Sequence, residues 1–389
     1  MKETWRMVAT LGLGYFALFG VSNVYYLLPQ YLSHAGVGSS QQVGWIVGAF
    51  YMATTFSRPF GGGLVRRMGF RRLFRWGGLL GIAGALGFAL VGSYTPGLLL
   101  FRVILGVSQT LFVVGFTTYQ GLVIPESSRG VAFSAISAGG ILPLMTLVPL
   151  GDLFLQRGYD VAYLLVPLAA ALGVFYLGER LPEQSLRGRG REGSLVGVLR
   201  NPSLRLLCLS SFCFSLGDAC LVVLASLAQS RGVLVSAFFM ANASVAAGIR
   251  LFGARLLDRL PRRHLAAPAM AGLALALLGC TWATGNGAMA FWGGVFGVAM
   301  GWGFPLHMAL IADLATPEER PHASAMVWFA MGGSFALVPI LMGYGVDWLG
   351  AVGSFRGFAG FLLLLSLGLG VLWERDLRRH PGRPVPTGS

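Results

Sequence analysis

Residues 58–73 read RPFGGGLVRRMGFRRL, and residues 250–265 read RLFGARLLDRLPRRHL. Aligned at a register of 192, they share Arg58/Arg250, Phe60/Phe252, Gly61/Gly253, Leu64/Leu256, Arg67/Arg259, Arg71/Arg263 and Leu73/Leu265, seven identities in sixteen positions. A second echo follows at the same register, PESSRGVAF at 125–133 and PEERPHASA at 317–325. A chain that repeats two loops at half its length is expected to be two copies of one unit.

What surrounds those loops is apolar. Of 389 residues, 55% are hydrophobic and 11% charged, against about 25% charged in a soluble chain. Glycine, at 57 residues, is about twice its usual share, without the period of collagen. This composition excludes a soluble globular protein and a disordered one. It fits an α-helical membrane protein crossing many times. Apolar runs between charged or Gly/Pro/Ser breaks predict twelve helices, near 7–31, 42–62, 74–93, 97–121, 131–150, 160–178, 205–228, 233–254, 265–284, 289–314, 323–346 and 355–373. The first run is too long for a signal-peptide core and is expected to be retained as helix 1.

Charge sets the expected orientation. With the N-terminus inside, the inner segments hold 23 of the 29 basic residues and the outer loops hold three, Arg157, Arg231 and Arg356. The other three, Arg58, Arg102 and Arg250, fall within or at the ends of helices. That asymmetry places both termini in the cytoplasm, in the inner membrane of a prokaryote. It also removes nucleic acid as the reason for the net charge of +14, because the basic loops face anionic headgroups. The longest polar stretch, GERLPEQSLRGRGREGSLVGVLRNPS at 178–203, reads as a linker. The expected domains are 1–180, a linker 181–204, and 205–389. Cys208, Cys213, Cys220 and Cys280 lie in apolar runs without metal spacing and read as packing residues.

On these residues the chain resembles the major facilitator superfamily, end to end. In the 58–73 segment Gly62, Arg67, Gly69 and Arg71 match the family's loop motif, but Arg66 stands where the family has Asp. The second copy keeps Asp258 and Arg259 and has Pro261 in place of Gly. Arg102-Val-Ile-Leu-Gly106 resembles the Arg-x-x-x-Gly motif of proton-coupled members. The resemblance implies two six-helix bundles, a cavity lined by helices 1, 4, 7 and 10, and a cytoplasmic gate built from the loop motifs. That gate would include Glu126, Arg129, Asp313, Glu318, Glu319 and Arg320. With Arg66 in the acid's place, either the inside-closed state is weaker or Glu318 and Glu319 pair with Arg66 and Arg67.

Ionisable residues within spans are functional candidates, since a charge in hydrocarbon costs at least about 2.5–3.5 kcal/mol. Asp218 is the one acid far from both interfaces and is the candidate proton carrier, with Arg102 as its counter-charge. A buried carboxylate resists ionisation and a neighbouring cation favours it, so alternating exposure would load and release a proton. Asn23, Tyr26 and Gln30 share a face of helix 1, flanked by Tyr25, and Arg102, Gly106 and Gln109 share a face of helix 4. These, with His307 in helix 10, are the candidate solute contacts. Asn23 and Gln30 also read as hydrogen-bonding glue between helices, and His307 as a packing histidine. Arg58, Arg250 and Asp313, near helix ends, are expected to snorkel. Gly77 and Gly81, and Gly293, Gly297 and Gly301, have the spacing of close helix contacts. Asn242-Ala-Ser244 matches a glycosylation sequon but falls inside a span.

No nucleotide-binding loop is present, and no cofactor or metal is implied. The expected function is a monomeric secondary transporter of a small neutral, zwitterionic or amphiphilic molecule, working by proton-coupled efflux. Proton-linked uptake is the alternative. Helix 5 has Gly139, Gly140, Pro143 and Pro149 but no Gly-Pro pair, which counts against a standard drug antiporter. An enzyme would need a catalytic constellation, whereas the five histidines are dispersed. A channel would need a continuous polar pore, which a two-fold repeat does not supply.

Overall fold

The computed structural model describes residues 2–36, 39–91, 96–124, 129–184, 195–252, 262–316 and 319–379, and these are helical with no strand among them. Helix 1 runs Lys2–Val24 and continues through a tight turn, Tyr25–Leu27, into Leu28–His34. Helices 2, 3 and 4 are Ser40–Met68, Phe70–Leu90 and Pro96–Val123. Helix 5 is Arg129–Met145 and Leu147–Gln156, broken at Thr146; helix 6 is Asp160–Arg180. A short helix, Leu195–Arg200, precedes helix 7. Helix 7 is Pro202–Ala219 with a tight turn Cys220–Val222 and a last piece Leu224–Ser230. Helices 8, 9 and 10 are Val235–Phe252, Arg262–Cys280 and Asn286–Leu314. Helices 11 and 12 are the two arms of Arg320–Arg379, which breaks at Gly350.

Gly350 (φ 71, ψ 167) and Gly69 (φ 74, ψ 166) are the whole turn between helices 11 and 12 and between helices 2 and 3. That backbone region is open essentially to glycine alone, so each turn reverses the chain in one residue. At Gly69 the turn is closed by its N–H donating to Val65 O at 2.9 Å.

Among the described residues nine stretches are long and apolar enough to cross a membrane, and one of them, His322–Arg379, holds two crossings. Helix 8 is a shorter apolar helix, Val235–Arg250. Helix 2 is the more polar one, with Gln41, Gln42, Ser57, Arg58, Arg66 and Arg67; much of it faces protein, since it packs along helix 11. The twelve crossings put both described ends on one face, called the basic face below. The other is the opposite face.

Within the first six helices, helix 1 packs on 5 and 6, helix 4 on 2 and 3, and helix 3 on 6. Among the last six, helix 10 packs on 8 and 9 and helix 12 on 9. The glycine stripes read from spacing are in contact as expected. Gly297 and Gly301 sit against Asn242 O and Ile249 of helix 8, and Gly77 and Gly81 against Phe112 and Ser108 of helix 4. Each bundle is also tied at the basic face. Arg75 donates to both oxygens of Glu179 at 3.0 and 2.8 Å, joining helices 3 and 6. Arg263 lies 3.2 Å from Asp376, joining helices 9 and 12.

Candidate functional site

Helices 1 and 7 are each interrupted by a tight turn, at Tyr25–Leu27 and Cys220–Val222. Such interruptions loosen the helix and often mark functional positions, and the central group is built at these two. The hydroxyls of Tyr26 on helix 1 and Tyr51 on helix 2 lie close together. The charge of Asp218, on helix 7 just before its turn, acts on both hydroxyls. Tyr26 packs on Phe239 of helix 8 at 5.6 Å, and Tyr51 on Phe335 of helix 11 at 5.1 Å. Two helices of the first half and three of the second therefore meet around one carboxylate. Ser211, Ser215 and Asp218 lie on one face of helix 7, and Ser211 Oγ, Ser215 Oγ and Asn242 Oδ1 are buried without a partner. Asn242 is within helix 8, as its surroundings in the sequence implied.

The expected pairing of Asp218 with Arg102 does not form. Arg102 is 1% exposed and lies between Tyr25 (4.7 Å) and Phe50 (4.6 Å), its Nε donating to Ile46 O at 3.3 Å. Tyr51 stands between the two charges and feels both. The cation that acts on Asp218 is Arg250, from the same half. Tyr25 turns away from Tyr26 into the first bundle, against Phe88 and Arg102. Asn23 and Gln109 are buried, Gln30 is half-buried, and none of the three hydrogen-bonds to the central group among the described residues.

His307 leaves the candidate site for a physical reason. Its Nδ1 lies 2.7 Å from Gly303 O, which can only accept, so Nδ1 carries the proton. Its Nε2 then accepts from Ser210 Oγ at 3.0 Å, and Ser210 accepts from Trp373 Nε1 at 3.2 Å. The ring is fully buried against Phe214, with both nitrogens satisfied by helices 7 and 10.

Arg58 and Arg250 are half-buried, each beside an aromatic ring. Arg58 lies 5.3 Å from the Trp328 ring of helix 11 and Arg250 5.5 Å from the Phe304 ring of helix 10. Asp313 pairs with Arg262 at 2.9 Å through both oxygens, and Arg320 donates to Ala312 O at 3.1 Å. Gly62 lies within helix 2, Arg66 and Arg67 in its last turn, and Arg129 opens helix 5. Arg66 and Arg67 are exposed, without an ion pair among the described residues. Glu319 accepts the Thr316 N–H at 3.4 Å instead of reaching them. Gly69 and Arg71 lie under Glu183, whose carboxylate accepts the N–H of Phe70 and of Arg71 at 3.1 and 3.2 Å. Glu126, Asp258, Arg259 and Glu318 lie outside the described residues.

Two further carboxylates, which the sequence does not single out, join the halves at the opposite face. Asp347 of helix 11 accepts from Ser40 N, Gln41 N and Ser39 Oγ at 2.9, 3.0 and 3.0 Å, capping helix 2. Asp152 of helix 5 accepts from Ser236 N at 3.1 Å in the first turn of helix 8, with its other oxygen held by Gln156. The spacing in sequence from Asp152 to Asp347 equals that from the start of helix 2 to the start of helix 8, so the two caps are repeat-related. Gln229 donates to Ser33 Oγ at 3.1 Å beside them. Below, Gly44 and Gly48 of helix 2 seat against Pro339 and Ile340 of helix 11. The halves are thus closed on each other at the opposite face.

Two repeated helix bundles, broken helices at one depth and a carboxylate between the bundles define a membrane carrier of the two-fold repeat type. The sequence matches the Major Facilitator Superfamily model over residues 10–296 and 207–389, and the chain belongs to that family. Among solved structures, nucleoside transporter NupG superposes with a TM-score of 0.77 at 13% identity, over 95% of this chain and 99% of that one. A variant of NupG gives 0.80 at 12% identity over the same shares. The human organic anion transporter MFSD10 gives 0.66 at 19% identity, over 94% of this chain and 99% of that one. At these identities the likeness is one of fold. No curated protein matches the sequence. The chain is therefore a multi-pass membrane transporter of a small molecule and not an enzyme.

Proposed function

We propose that the protein is a proton-coupled secondary transporter in which residues 1–180 and 205–389 rock about the Tyr26–Tyr51–Asp218 group. Asp218 is the proton carrier. The basic face is the cytoplasmic one, from the placement of arginine, and the caps of Asp152 and Asp347 are the outer gate. The carrying observation is that Asp218 lies in the field of Arg250, between two halves that touch at Tyr26, Tyr51, Phe239 and Phe335.

That neighbour bears on direction. Antiport needs solute and proton to exclude one another at the carboxylate. Here a proton on Asp218 removes the negative charge beside Arg250 and leaves a cation free in the cavity. Proton and solute then bind together, which favours co-transport over the efflux expected from the sequence. Arg102 acts on the centre through Tyr51.

Proteoliposomes with an imposed pH gradient and a trapped pH dye test this. Co-transport moves protons in the same direction as solute, and antiport moves them oppositely. Asp218→Asn is expected to abolish proton movement while leaving solute exchange measurable. Proton flux that survives in Asp218→Asn removes the carrier role.

A further inference from the structure

Coupling through Asp218 leaves two guanidinium groups unexplained. Arg58 and Arg250 are the first identity of the internal repeat, on helices 2 and 8. Each lies over a ring, Trp328 or Phe304, and those rings meet edge to face at 5.7 Å. Arg58 belongs to the first half, and its ring to the second. The Nε of each is buried without an acceptor, and among the described residues neither guanidinium has a hydrogen-bond or ion-pair partner. Among the described residues the one carboxylate that acts on Arg250 is Asp218, and none acts on Arg58.

A half-buried cation whose Nε is shut from water and faces only a ring is incompletely compensated, since a ring supplies quadrupole attraction and no acceptor. When Asp218 takes the co-transported proton, neither cation keeps a counter-charge among the described residues, which leaves both to an anion from outside. Guanidinium is planar and matches a carboxylate through two parallel N–H···O bonds. We infer that Arg58 and Arg250 hold the anionic group of the solute, and that the solute is an organic anion, a carboxylate by type, whose apolar body packs on Trp328 and Phe304. This rests on the central-cavity transport reading given above. It also gives binding a mechanical result. The two arginines are on opposite halves, so an anion shared between them draws the bundles together at the basic face, where the contacts named so far are between rings.

The test is binding to the full chain in phosphatidylcholine nanodiscs, which hold no anionic lipid, by titration calorimetry. The probes are benzoate and 1-naphthoate, with benzyl alcohol and benzylamine as neutral and cationic counterparts. The acids are expected to bind saturably, about tenfold or more tighter than the alcohol and the amine, and Arg58→Gln and Arg250→Gln each to weaken them about tenfold. Arg58→Lys and Arg250→Lys keep the charge without the fork and are expected to recover part of the affinity, which guards against misfolding as the cause of loss. Binding that ignores charge, native affinity in monodisperse Gln variants, or no binding of either acid overturns the inference. If the acids bind in nanodiscs containing phosphatidylglycerol as tightly as without it, the site takes the free solute. Competition by that lipid assigns the site to a headgroup and overturns the solute reading. Transport is judged separately. Arg-dependent binding without proton flux upholds this site and removes the coupling. Proton flux with neutral or cationic solutes, unaffected by either Gln variant, upholds the coupling and removes this site.

Discussion

At the opposite face the halves are joined by carboxylates seated on helix starts, Asp347 on helix 2 and Asp152 on helix 8. Toward the basic face they are joined by ring contacts, Phe56 with Phe329 and Arg58 with Trp328. A carboxylate on the first N–H groups of a helix satisfies donors that have no partner within the helix and meets the positive end of its dipole. Such contacts are strong when made and are replaced by water when broken, as a gate requires. Ring contacts slide without leaving a polar group bare. Among the described residues the molecule is thus latched on one side and joined by ring contacts on the other.

The difference can be broken by overfilling the latched seam. Gly44→Leu would drive a side chain into the backbone of Pro339. Overpacking of this kind costs about 1–3 kcal/mol, so the opposite face is expected to open, read as a longer distance between spin labels at positions 36 and 231. Asp152→Ala comes next. Asp152 is 2% exposed, and a buried N–H left without its acceptor costs about 1–3 kcal/mol. The same label pair should move in the same sense. Asp347→Ala is expected to do less despite its three bonds, because Asp347 is exposed and water can replace it. A shift of about 1 kcal/mol, roughly fivefold in population, is expected from the loss of a cap. Salt sharpens the contrast: near 1 M the screening length falls to about 3 Å, so salt should weaken the Asp347 latch and spare the Asp152 one. Ser33→Ala is the smallest change, within about 0.5 kcal/mol for an exposed contact.

Much of the scaffold was legible from local pattern. Spans follow from apolar length, the two-fold repeat from the paired loops, and the packing glycines from their spacing. Asp218 stood out because an acid in hydrocarbon is costly wherever the rest of the chain goes. What was not legible depends on partners far away in sequence. Asp347 and Ser40 are separated by 307 residues and Asp152 and Ser236 by 84, so neither acid could be told from any other helix-end acid. The rings beside Arg58 and Arg250 were not legible for the same reason. Counting residues to the helix end predicts a side chain reaching water, but the rings of Trp328 and Phe304 come from helices later in the chain. His307 was selected on residue type, and its neighbours Ser210 and Trp373 show why type was insufficient.

The single-residue turn at Gly350 bears on how the protein is made. Trp348 and Leu349 at its tip are 86% and 66% exposed, and no hydrophilic loop separates the arms. A nascent helix 11 therefore offers the insertion machinery no polar tail to translocate ahead of helix 12, and the two arms are set to enter as one hairpin. A tryptophan at such a tip belongs in the headgroup layer rather than in water. A tag or protease site inserted there would have to pull that anchor out of the leaflet, and Asp347 beside it would be dragged from its seat on helix 2.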